Sequence, residues 1–244
     1  MLLLPKPSSR REQEMEKIVL PYNEGLQKEI KQIGLELQGE QNIMVVNSMG
    51  PTAYKRSYGA TYSAIRRIAQ PYVGNEALAK CMWGIGFRET MILATLIYPA
   101  DHFTREQALQ WVGEMPCAEL VEYACRNLYA RLPYADSLIS DLLTQNQSFS
   151  LEMTYLLAAR LVEADTLSAR NVAMLLDGAS QNVSLARGSL SNAVSVFLKQ
   201  AGVHASYRSR VTALADAFSV SDNMQARWVA EEVRTFITYM PAKD

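Results

Sequence analysis

Apolar residues recur every three or four positions along almost the whole chain, and this rhythm is the strongest constraint on what the sequence can form. In CAELVEYACRNLYARL, Val121, Cys125 and Leu128 make one stripe, with Leu120 and Ala124 beside it and Pro133 closing the segment. In YSAIRRIAQPY, Ala64, Ile65 and Ile68 form another. No stretch alternates convincingly at the two-residue period of a strand, and no Asn-Gly hairpin occurs. Boundary signals agree with helices. Thr104 and Gln107 make a capping-box pattern before Ala108 and Trp111. Gly202 predicts a left-handed C-terminal cap, and Ser221 or Asp222 an N-cap for the last helix. Pro21 should kink or break the charged opening segment, and GIGFRE reads as a turn between two helices.

About ten helices of roughly 10 to 20 residues, paired on a period of roughly 35 to 45, predict an all-α, HEAT-like helical-repeat solenoid. A globular helical bundle is the alternative. The chain reads as a single helical-repeat domain over residues 1–244, with 1–40 an N-terminal helical extension. Trp83, Ile92, Leu96, Leu120 and Leu156 are expected between successive layers. In a solenoid the second helices of the pairs line one curved face, which suits an extended ligand.

With 49% apolar and 20% charged residues over 244 positions, the chain can bury a sizeable core. Net charge is −1, so a nucleic-acid site would have to be a local patch on a neutral body. The opening MLLLPKPSSRR lacks the apolar stretch of a signal peptide, and Met91–Ala100 is about half a membrane span. Cys81, Cys117 and Cys125 have no CxxC spacing, and His102 and His204 are the only histidines. These features predict a soluble, cytoplasmic protein with neither a disulfide frame nor a histidine-built metal site, and no cofactor. No Walker loop, GxGxxG, HExxH or GxSxG is present.

Two groups of residues could carry chemistry. Glu114, Glu119 and Glu122 form an acidic cluster, and Glu119 and Glu122, three apart, can share a helix face. A carboxylate there could stabilise developing positive charge or position water; a solvated helix side is the plainer reading. Lys55, Arg56, Arg66 and Arg67 interleave with Tyr54, Tyr58 and Tyr62, a mixture that suits a polyanion, and Arg187, Lys199, Arg208 and Arg210 form a second basic scatter. Surface solubility alone would also account for these charges.

Three segments in order, SYGATYSAIRRIA, LAKCMWGIGFRETMILATLIY and FTREQALQWVGEMPCAELVEYACRNL, resemble the AlkD-like DNA alkylation-repair family over roughly residues 45 to 200. The resemblance implies a HEAT-like repeat fold and removal of alkylated, cationic bases from DNA. One carboxylate would stabilise the sugar as it becomes cationic, aromatic residues would frame the lesion, and an arginine would hold the backbone. The family's catalytic acid falls on Glu122, with Glu119 one turn earlier, and the basic residues Lys55, Arg56, Arg66, Arg67, Arg187 and Lys199 would hold DNA. Arg88 and Glu89 resemble the family's charged pair on a packed helix and are expected to be structural. Other positions depart: Ala118 stands for one tryptophan, the expected arginine falls near Met153, and a second tryptophan falls near Val196. A non-catalytic scaffold, binding a protein or undamaged nucleic acid on its concave face, is therefore the rival reading.

Overall fold

A computed structural model describes residues 23–48, 54–184 and 188–243. Among them are thirteen α-helices and no strand; the single bridge joins His204 and Lys243. Ten of the helices follow one another as five consecutive pairs along the chain. They are α4 (Glu76–Ile85) with α5 (Arg88–Ile97), α6 (Arg105–Glu114) with α7 (Ala118–Asn127), α8 (Ala135–Thr144) with α9 (Ser150–Glu163), α10 (Ala169–Ser184) with α11 (Gly188–Val203), and α12 (Ala205–Ser219) with α13 (Met224–Tyr239). Ahead of them come α1 (Glu24–Gly39), α2 (Ile43–Ser48) and α3 (Tyr62–Ala69).

The all-α repeat architecture expected from the periodicity is present, with more and shorter units. The pairs open at residues 76, 105, 135, 169 and 205, so the steps are 29, 30, 34 and 36 residues, mostly below the expected period. Turns of two to five residues between many of the helices leave little slack. Pro21 lies outside the described residues.

Helices α3, α5, α7, α9, α11 and α13 pack side by side as one row. The first helices of the pairs form a second row, and successive members are joined by specific pairs. Trp83 of α4 stacks on Trp111 of α6 at 3.8 Å, Arg105 of α6 pairs with Asp141 of α8, and Arg210 of α12 pairs with Asp177 of α10. Between α8 and α10, Asp136 accepts from the Ser168 backbone at 2.9 Å and from Asn171 at 2.8 Å. One continuous buried cluster runs between the rows from Ile33 of α1 to Ile237 of α13.

Thr104 caps α6 through a bond from the Gln107 N–H, as its sequence pattern predicts. Gly86 ends α4 in the left-handed region, so GIGFRE is a turn. Two boundary expectations are corrected. Asn223, not Ser221 or Asp222, caps α13, accepting from Gln225 and Ala226. Gly202 lies inside α11 rather than beyond it: a Cβ there would come within 2.8 Å of Ile237 and 3.2 Å of Val211. Close helix contact, and not backbone conformation, is what selects that glycine. The stripe of Leu120, Val121, Ala124, Cys125 and Leu128 is buried, as are Trp83 and Ile92. Leu96 and Leu156 are only partly buried, because both face the open surface of the α3–α13 row.

Candidate nucleic-acid interface

Of the sequence-predicted residues, Arg66 and Glu122 open onto the exposed surface of the α3–α13 row, and Lys199 stands on α11 of the same row. The first part of that surface is anchored by the buried pair at the start of α5. Residues 54–60 cross that helix terminus, and Glu89, fully buried, accepts the Tyr58 and Gly59 N–H groups at 3.0 and 2.9 Å and the Ser57 hydroxyl at 2.9 Å. Gly59 is required there. Its φ is +78°, and a Cβ would meet the Asn42 carbonyl at 2.3 Å. Arg88 donates to the Ala60 carbonyl and to Glu119. Burial opposes its charge, but hydrogen bonds and charge from Glu119 and Glu89 outweigh that and hold its pKa above the ordinary value. The structural role expected of Arg88 and Glu89 agrees with this geometry.

The acidic cluster is dispersed. Glu114 accepts the Trp83 indole N–H at 2.6 Å, and Glu119 accepts from Arg88 and from the Tyr54 hydroxyl at 3.2 Å. Burial, followed by the Cys117 and Glu119 neighbours, pushes the Tyr54 phenol well up, so it stays a donor. Glu122 stands apart: it is exposed on α7 and makes no hydrogen bond or ion pair among the described residues. It lines a cavity of about 130 Å³ with Cys125, Leu156, Arg160, Asn192 and Val196, spanning α7, α9 and α11. Burial raises the Cys125 thiol to about 12, so it is inert as a nucleophile near neutral pH. Glu119 and Glu122 thus do not converge on one point, despite their spacing.

The basic residues divide in the same way. Arg66 opens onto the row surface from α3, whereas Arg67 pairs with Glu40 at the end of α1. Lys55 lies against the Gly86 turn, and the Arg56 guanidinium covers the Tyr58 ring at 4.9 Å. Lys199 reaches Glu232 of α13 at 2.5 Å, which ties α11 to α13. Arg187 lies outside the described residues.

Sequence reasoning missed Arg126, Arg131 and Arg160. Arg126 lies one turn beyond Glu122 on α7, over Tyr62 at 4.3 Å and Tyr123 at 5.3 Å, and those two rings stack at 4.8 Å. The Tyr62 hydroxyl donates to Asn127 at 2.7 Å, and Asn127 donates to Thr95 at 2.9 Å, linking α3, α7 and α5. Arg160 supplies a cation opposite Glu122, two helical turns beyond Met153, which is fully buried. Adding seven residues to that position, and four to Glu122, was the available signal.

No protein-family profile and no curated protein matches this chain. A solved structure does: one described as "a new family of proteins related to the HEAT-like repeat DNA glycosylases with affinity for branched DNA structures". The match covers 88% of this chain and 97% of that one, with a TM-score of 0.72 and 12% sequence identity. At that identity the likeness establishes the HEAT-like fold. No helix among the described residues is long and apolar enough to cross a membrane, and none of their His, Cys, Asp and Glu side chains cluster as a metal site would require.

Proposed function

We propose that this chain is a single-domain DNA-binding helical-repeat protein that holds the phosphate backbone along the exposed surface of the α3–α13 row. One observation carries the reading: three helices of that row present a guanidinium along this surface, Arg66 from α3, Arg126 from α7 and Arg160 from α9. A near-neutral protein with a local row of cations can still displace counterions there. The stacked Tyr62 and Tyr123 rings add a face on which a sugar or an unpaired base can rest. The structural neighbour's affinity for branched DNA is consistent with this choice of partner.

Excision of alkylated bases is the second reading, and Glu122 favours it. A carboxylate that is exposed, unpaired and on the cationic face is free to stabilise positive charge on a deoxyribose. Val196, near which the resemblance calls for a tryptophan, is aliphatic, as is Leu156 beside it, and this supports binding more than catalysis. Glu119 would act through the fold, since Arg88 and Tyr54 occupy it.

The test is a titration of linear and branched DNA against salt, run beside release of 3-methyladenine or 7-methylguanine from methylated DNA. Salt-sensitive binding with no base release is the expected result. Base release abolished by Glu122→Gln would establish excision instead. Absence of salt-sensitive binding would overturn the DNA reading and leave a protein-binding scaffold.

A further inference from the structure

We infer that the cavity where α3, α5 and α7 meet is a subsite for a phosphate monoester, the terminal phosphate of a DNA strand. The inference rests on the DNA-binding reading and specifies what one end of the interface takes. The cavity measures about 340 Å³ and is lined by Tyr62, Arg66, Leu96, Arg126, Asn127 and Arg131. Three guanidinium groups therefore share one small space, and none has a carboxylate partner among the described residues.

That concentration of charge distinguishes this spot from the rest of the face. Elsewhere the cations are answered: Lys199 by Glu232, Arg67 by Glu40, and Arg160 by Glu163 on its own helix at 3.3 Å. Here Arg126 is held in place by the Tyr62 and Tyr123 rings, and Arg66 lies 5.9 Å from the same Tyr62 ring centre. The nearest acid along α7, Glu122, lies one turn away and lines the neighbouring cavity. Arg66 and Arg126 stand beside one ring and Arg131 lines the same cavity, so like charges gather where an anion would relieve their repulsion.

Charge and place together select the anion. An internal phosphodiester carries one negative charge, and one arginine per phosphate would suffice for a strand passing through. A terminal phosphate carries about −1.5 to −2 at neutral pH and exposes three acceptor oxygens, which matches three guanidinium forks. The cavity also lies at the beginning of the row, with α3 as its first helix, where a strand running from α11 towards α3 would end. The Leu96 side chain and the Tyr62 ring supply apolar surface for the terminal sugar.

The experiment compares DNA strands of one sequence bearing a 5′-phosphate, a 3′-phosphate or only hydroxyl ends. Each is titrated against wild type, Arg126→Ala and Arg131→Ala, and inorganic phosphate alone is titrated by calorimetry. About tenfold tighter binding of one phosphorylated end is expected. Both variants should lose that preference; Arg131→Ala should still bind the hydroxyl-ended strand, whereas Arg126→Ala should bind every strand more weakly, because Arg126 also belongs to the cationic row. Arg131 is exposed in a short turn and makes no ring contact, so its variant keeps the test independent of folding. If no strand binds but inorganic phosphate binds wild type and neither variant, the monoester site stands and the DNA reading falls. If strands bind with salt sensitivity yet all ends bind alike, the DNA reading stands and this inference is overturned.

Discussion

Arg88 holds Glu119 through two nitrogens, Nε donating at 3.0 and 3.1 Å to its two oxygens and Nη2 donating at 2.8 Å. The grip joins α5 to α7 at the foot of the proposed interface, with the Arg88 side chain only 4% exposed. Arg88 Nη1 also lies 3.3 Å from Glu89, so removing the arginine would leave that buried carboxylate without a cation, held only by the neutral donors of residues 57–59. Arg88→Ala is expected to destabilise the protein by about 3–5 kcal/mol, seen as a melting temperature lower by roughly 10 °C. DNA affinity of the remaining folded protein should change less than twofold. A large affinity loss at unchanged melting temperature would overturn the structural assignment.

Gly202→Ala tests the correction made at the end of α11. Alanine is the better helix former by about 1 kcal/mol, so a solvent-facing glycine would gain from the change. Here the added methyl group meets Ile237 and Val211, and overpacking of about 1–3 kcal/mol should outweigh the gain. Thermal or denaturant unfolding should therefore give a net loss of stability. A net gain would mean that α11 and α13 can separate freely at this point.

How far the sequence could be read depended on whether a residue's role was local. The Leu120–Leu128 stripe and the Thr104 cap were legible because period and capping act within a few residues. Gly202 misled, because the same residue type serves both left-handed caps and close helix contacts, and the contact is made 35 residues away in sequence at Ile237. Glu119 and Glu122 share a helix side on paper, yet Arg88 claims one and leaves the other open. That division depends on a partner 31 residues upstream and has no local signature. Arg126 and Arg160 went unread for a related reason, since only the packing of α7 against α3 and α9 brings them beside Tyr62 and Glu122.

Asp136 should give the α8–α10 contact an acid limb. Burial works against its charge, but bonds from the Ser168 backbone and the Asn171 side chain prevail and lower its pKa below the usual carboxylate range. A group whose folded pKa is depressed contributes stability that is present above its unfolded value, about 3.9, and is lost as pH falls through the folded value. Asp136→Ala should cost about 1–2 kcal/mol at pH 7. The gap between variant and wild type should narrow below roughly pH 4. Parallel denaturation at pH 7 and pH 3 measures it; a gap that widens on acidification would contradict the sign.

Glu122→Gln separates the two readings of the interface. The side chain is exposed and unpaired among the described residues, so melting should shift by less than about 0.5 kcal/mol equivalent. The substitution removes a negative charge from a surface shared with Arg126 and Arg160, and with it the repulsion a nearby phosphate would feel. DNA should bind several-fold tighter at low salt, with the advantage shrinking as ionic strength rises, because screened charges contribute less. A carboxylate serving excision predicts the same gain in affinity together with complete loss of base release. Binding titrations at two salt concentrations, paired with the release assay, therefore give different joint outcomes for the two functions. Weaker binding by the glutamine variant would count against both, since it would mean that Glu122 itself contacts the partner through its charge.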